Sequence, residues 1–194
     1  TIMFMVVFGG IAKMSTDGLP QPVFYLSGIL LWNYFSNTLA LTSNTFVANK
    51  GVFGKVYFPR IITPLSIIIS KLLTFAVQFV LFLAVFFFYY VFRETSLKPN
   101  IYIALLPVLI VMTAGMSFGF GLIITALTTK YRDFTFLLGF AIQLGMYATP
   151  VIYPTSMATG GIRTVIMANP MSAIIETFGY AFTGTGDFSW YALG

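Results

Sequence analysis

The chain contains no cysteine and no histidine. Those absences remove disulfides, thiolate nucleophiles, imidazole bases and the commonest metal ligands together, and leave the redox compartment unreadable. Charge is also scarce, at 8% of 194 residues, with ten basic and five acidic side chains. A soluble domain of this length could not cover its surface with so few charges. What fills the sequence instead is apolar: 58% of the residues, with a mean hydropathy of +0.92. The apolar residues fall in runs of about 20 or more, the length that crosses a hydrocarbon core. Unpaired backbone groups are costly in lipid, and the runs are unbroken rather than alternating, which selects helices over a barrel. The expected fold class is an all-α membrane protein, a polytopic helical bundle. The net charge of +5 does not indicate nucleic acid, because the basic residues are spread between hydrophobic spans and form no continuous basic face.

Along the chain, residues 1–12 read as the end of a first span, too short to cross by itself and too uncharged to head a signal peptide. Thr1 is not an initiator residue, so the natural sequence is expected to begin earlier. Spans are predicted over 23–47, 65–92, 101–127 and 134–149, with residues 188–194 entering a sixth. Pro64 suits the first turn of the third span. Six of the ten basic residues, Lys50, Lys55, Arg60, Lys71, Lys130 and Arg132, fall in or near the 48–64 and 128–133 loops. Cytoplasmic loops retain Lys and Arg, so these two loops are placed inside and the 93–100 loop outside. Residues 151–186 are longer than a connecting loop needs and are broken by Pro154, Gly160, Gly161 and Pro170. Asn169 followed by Pro170 is a helix start, an N-cap with proline at the first helical position. Beyond it Met171, Ile174, Ile175, Phe178 and Phe182 share one face, which predicts a short amphipathic helix on the external side.

The chemistry-bearing residues say first what the protein is not. No acid is expected in the middle of a span. A charge at bilayer depth costs roughly 2.5 to 3.5 kcal/mol and persists mainly for function, so a proton-coupled carrier would be expected to show one. Neither a paired carboxylate nor a serine or cysteine triad is available, and no catalytic or metal-binding residue is predicted. Gly51, Gly54 and Lys55 have the wrong spacing for a phosphate loop, and Val56 stands where that loop carries a hydroxyl. The same loop gathers Val52, Phe53, Val56 and Tyr57 on one side of a short helix. Two readings stay open: docking in a groove of a cytoplasmic partner, or resting among lipid headgroups.

In the second span Asn33, Ser36, Asn37, Ala40, Ser43 and Asn44 lie within about a third of the helix circumference, opposite Leu31, Phe35, Leu39 and Phe46. Such a stripe either packs against other helices or lines a hydrophilic conduit. Gln143 and Tyr147, four apart, pose the same question in the fifth span. Trp32 and Tyr34 flank the stripe and could stack on sugar rings. Gly115 and Gly119 form a small-residue motif expected to serve helix packing.

Six segments, in order, resemble the permease of type-2 ABC transporters that export polysaccharides such as O-antigen, capsule or teichoic acid. They are Gly18 to Phe24 (GLPQPVF), Gly28 to Phe35 (GILLWNYF), Asn49 to Pro64 (NKGVFGKVYFPRIITP), Tyr131-Arg132-Asp133, Thr149 to Pro154 (TPVIYP) and Asn169-Pro170-Met171. The resemblance implies a homodimer of six-span subunits in the bacterial inner membrane, the first and last spans being truncated here. It implies two cytoplasmic ATPase subunits that bind ATP and magnesium, with no cofactor in this chain. Membrane lipids surround it and a lipid-linked glycan is the cargo. The segment with Val52, Phe53, Lys55, Val56, Tyr57 and Phe58 then corresponds to the helix that receives the ATPase stroke. Residues 151–186, including Tyr153, Asn169, Pro170, Ile174 and Phe178, correspond to external gate helices. Trp32, Asn33, Tyr34, Asn37, Asn44, Gln143 and Tyr147 would line the glycan path. Two rivals stand beside it: a type-2 ABC permease exporting a drug or lipid, and a membrane scaffold or enzyme without transport.

Overall fold

A computed structural model describes residues 16, 19–49, 51, 59, 61–92, 97–131, 133–155 and 161–184. The described residues form α1 (Gln21–Ser43), a single turn α2 (Thr45–Ala48), α3 (Ile62–Phe92), a 3-10 turn (Ile101–Leu105), α4 (Leu106–Lys130), α5 (Phe134–Tyr147), α6 (Gly161–Ala168) and α7 (Pro170–Thr183). No strand occurs among them. Pro22, Pro64 and Pro107 each sit in a helix's first turn, where the missing N–H forfeits no bond.

α1 is the axis of the bundle, packed against α3, α4, α5 and α7. Its buried residues lie all around it, from Val23 and Tyr25 through Leu31 and Tyr34 to Leu39 and Thr42. This explains why α1, at 23 residues, is not among the helices apolar enough to cross lipid alone. A helix walled by protein can carry Asn33, Ser36 and Thr38 that a lipid-facing one would exclude. α3 and α4 are the reverse: in the most apolar stretch of each, only 17% of residues are buried. Leu73 of α3 is 70% exposed and Val111 of α4 69%. A water-soluble monomer does not display apolar surface on that scale, so these faces belong in lipid. At 31 residues α3 is about 46 Å long against a hydrocarbon core of about 30 Å, long enough to cross with tilt or overhang.

The α1–α4 contact corrects one expectation. Among the described residues, nothing outside their own helix lies within 4 Å of where a Cβ on Gly115 or Gly119 would sit, so they do not make the contact with α1. The stripe that meets α1 is Thr113, Ser117, Gly121 and Thr125, all buried and four apart. At Gly121 an added Cβ would stand 2.6 Å from Thr42 Cγ2, which is the close approach that glycine permits.

The two ends of the bundle are tied separately. At one end the Thr128 hydroxyl donates to the Ser43 carbonyl at 2.8 Å, satisfying an acceptor left over at the end of α1. At the other, Lys98 N–H donates to Thr183 O at 3.2 Å and Asn100 N–H to Ala181 O at 2.9 Å. The segments flanking the predicted internal loops thus share one end, and those predicted external share the other.

α7 departs from a one-sided amphipathic helix. Besides the expected face, Ser172, Ala173, Thr177, Ala181 and Thr183 are buried, because α7 sinks into the bundle beside α1, α4 and α6. Its Phe178 and Phe182 rings lie 5.5 and 5.1 Å from Phe82 of α3, and both also meet Phe79. Phe79 lies 13 residues before the end of α3, a descent of about 20 Å along that helix.

Candidate functional site

The polar stripe of α1 is an open face within the subunit. Asn37 and Ala40 are exposed, Asn33, Ser36 and Asn44 half-buried, and Ser43 buried with its hydroxyl donating to Leu39 O at 2.6 Å. Leu31, Phe35 and Leu39 occupy the opposite, packed side. Packing inside one subunit therefore does not account for the asparagines.

They instead form one wall of a groove of about 240 Å³ between α1 and α3. Asn33, Tyr34 and Asn37 come from α1, and Lys71, Thr74, Phe75 and Gln78 from α3. The Tyr34 and Phe75 rings, 5.4 Å apart between centroids, are buried residues that join the two walls. The Asn37 Nδ2 donates one hydrogen to the Asn33 carbonyl at 2.7 Å, and its second N–H engages no partner among the described residues. Among the described residues, the side chains of Asn33, Lys71, Thr74 and Gln78 engage no hydrogen bond or ion pair. Neither described acid lines the groove: Asp133 precedes α5, and Glu176 on α7 borders a separate cavity of about 70 Å³ with Ser27 and Thr155.

The α3 wall was not anticipated as a wall. Lys71, Thr74 and Gln78 recur at i, i+3 and i+7, a helical stripe legible in the sequence. It is easily lost in a run whose other members are nearly all apolar.

The remaining residues expected to line a path do not join this groove. Trp32 is 6% exposed and faces α5, where a Cβ on Gly145 would meet its Cη2 at 3.1 Å. It lines an apolar cavity of about 250 Å³ with Met116, Phe120 and Leu138. Gln143 and Tyr147 are exposed on α5, and Asn44 sits at the break between α1 and α2. Val52, Phe53, Lys55, Val56, Tyr57 and Phe58 lie outside the described residues.

The residues expected on the external side form a connected set. Asn169 caps α7, its Oδ1 accepting from Met171 N–H at 3.0 Å while its Nδ2 donates to Thr149 Oγ1 at 3.0 Å. Thr149 in turn donates to Gly145 O at 2.7 Å, so the cap of α7 is linked to the last turn of α5. The Tyr153 hydroxyl donates to Tyr147 O at 2.8 Å, and burial pushes the pKa of that phenol above its ordinary value. Ile174 and Phe178 are buried and Pro170 is exposed. The TPVIYP segment reaches α1 at Gly28, where a Cβ would come within 3.0 Å of Val151 O.

Comparison with known proteins accords with this architecture. The chain is 25% identical over 154 residues to an O-antigen export system permease protein RfbA of Klebsiella pneumoniae, covering 79% of this chain and 57% of the relative. A second protein of that name from the same organism is 25% identical over 173 residues, covering 88% and 64%. One from Myxococcus xanthus is 22% identical over 179 residues, covering 91% and 66%. The chain thus spans somewhat under two thirds of the length of these curated relatives. The sequence profile described as ABC-2 type transporter matches residues 1–183, nearly the whole chain. With a helical bundle that shows its apolar faces outward, the chain is a membrane protein of the ABC-2 type transporter family.

Proposed function

We propose that this chain is the membrane-embedded core of the permease subunit of an ATP-driven exporter, which moves a lipid-linked polysaccharide across the bacterial inner membrane. Family membership joined to relatives named for O-antigen export carries the reading. The groove supports it physically. Asn33, Asn37, Thr74 and Gln78 offer donors and acceptors that a hydroxyl-rich glycan would satisfy and a purely apolar cargo would leave unpaired.

In this proposal two copies assemble so that their open asparagine faces enclose the path, and the chain crosses the membrane several times with its basic loops inside. The sequence offers no ion-coupling carboxylate in α1, α3, α4 or α5, so the work comes from two separate ATPase subunits that bind ATP and magnesium. Val52, Phe53, Lys55, Val56, Tyr57 and Phe58 receive their stroke, in the helix-in-groove manner. α7, hinged at Asn169 and Pro170 and clamped to α3 by Phe178, gates the external end.

The test is export by the full-length complex, with membrane insertion and ATPase association followed in parallel. Phe53→Asp and Tyr57→Asp place a charge in the docking face and should abolish export while leaving insertion intact. Normal export by both variants would overturn the coupling role. ATP hydrolysis that responds to a drug or free lipid but not to a lipid-linked glycan would overturn the cargo.

A further inference from the structure

Lys71 is the charged residue that lines the groove, and no acid among the described residues lines it with Lys71. It lies nine residues into α3, roughly 14 Å from that helix's basic-loop end. If α3 is centred on a core of about 30 Å, this depth is a few ångströms inside the leaflet that carries the basic loops. A lysine can reach headgroup level from there. Its side chain is half-buried rather than swung into solvent, and neither described acid lines the groove. Amide groups of Asn33, Asn37 and Gln78 converge on the same space, and ammonium with amide donors is a donor set for an oxyanion. Beyond Thr74 the flank of α3 turns apolar at once. Val77 and Leu81, next around the helix, are 72% and 55% exposed, a surface on which a hydrocarbon chain can lie.

We infer that this groove is a phosphate site for a lipid: Lys71, with the amides of Asn33, Asn37 and Gln78, holds a headgroup phosphate while the lipid's chain runs along Val77 and Leu81. The shared chemistry is a phosphate on a hydrocarbon chain, whether from an anionic phospholipid or from the carrier of the proposed cargo. The exporter reading bears only on which of these brings it.

The experiment uses the full-length permease with its ATPase subunits in maltoside micelles, which contain no phosphate. Phosphatidylglycerol and a polyprenyl pyrophosphate are titrated separately, and retained molecules are counted by native mass spectrometry. Lys71→Gln should weaken binding about ten- to a hundredfold, the loss of one charge-assisted contact, and Lys71→Arg should restore most of it. A loss confined to the polyprenyl pyrophosphate identifies the cargo carrier as the ligand, and a loss for both probes identifies a general anionic-lipid site. Unchanged affinity of Lys71→Gln for both probes overturns the inference, as does a wild-type complex that retains neither. Should Lys71→Gln not assemble, the Asn37→Leu, Gln78→Leu double variant must show the same direction of loss, and wild-type affinity there overturns it equally. Lipid binding through Lys71 in a complex that exports no glycan would leave this site standing and remove the exporter reading instead.

Discussion

Asn169 shows how one side chain can hold two helices in register. Its oxygen accepts from Met171 N–H, so its amide nitrogen is the atom that meets Thr149, whose own hydrogen is committed to Gly145 O. Asn169→Ala removes both roles. The lost cap costs about 1 kcal/mol, and the lost bond to Thr149 adds a similar amount, roughly 1 kcal/mol. Asn169→Asp separates them, because a carboxylate still caps α7 but presents an acceptor to a threonine that has no hydrogen left to give. Thermal unfolding in detergent should rank wild type above Asn169→Asp and Asn169→Asp above Asn169→Ala. An aspartate variant as stable as wild type would mean that the link to α5 contributes nothing. The cap was legible in sequence, since Asn-Pro ahead of an apolar periodic run is a local signal. Thr149 as its partner was not, because that contact joins residues 20 apart.

At the scale of elements, helices were legible and their neighbours were not. Apolar runs and first-turn prolines locate α3, α4 and α5 to within a few residues. The missing information is rotational: which side of a helix meets protein. Gly115 and Gly119 satisfy a packing motif by spacing, yet α4 is rotated so that Thr113, Ser117 and Gly121 meet α1. Nothing local distinguishes these stripes, because each is small and four-periodic, and the choice rests on the fit of Thr42 against Gly121. The same gap hid the α3 wall, where Lys71, Thr74 and Gln78 gain meaning only once Asn33 and Asn37 stand opposite them. The alternative rotation has a direct test. Gly121→Ala forces a methyl to within 2.6 Å of a buried threonine methyl and should destabilise the subunit by about 1 to 3 kcal/mol. Gly115→Ala meets nothing within 4 Å and should be neutral for the isolated subunit. Equal losses in unfolding midpoint would show that α4 presents both stripes to protein.

For the whole molecule, the ends of the bundle carry the orientation. α1 and α4 run in parallel from the end where Gly28 meets Val151 to the end where Ser43 meets Thr128, and α7 is tied at its C-terminus to residues 98–100. Any loop assigned to one side of the membrane therefore fixes the rest. The absence of cysteine makes this measurable, because every introduced thiol is the sole target in the chain. Lys98→Cys replaces an exposed residue at the α7 end, while Ala48→Cys and Tyr131→Cys replace exposed residues at the basic-loop end. Positive charge retained in the cytoplasm predicts that a membrane-impermeant maleimide reacts with Lys98→Cys in intact cells. The other two should react only after the membrane is permeabilised. Labelling in the opposite sense would invert the bundle, turn the Lys71 end of the groove to the outer leaflet, and carry the Val52 to Phe58 loop away from any cytoplasmic ATPase. Labelling of Lys98→Cys and Ala48→Cys from the same side would contradict the packing itself, since α1 separates those two ends by its 23 residues, about 35 Å of helix.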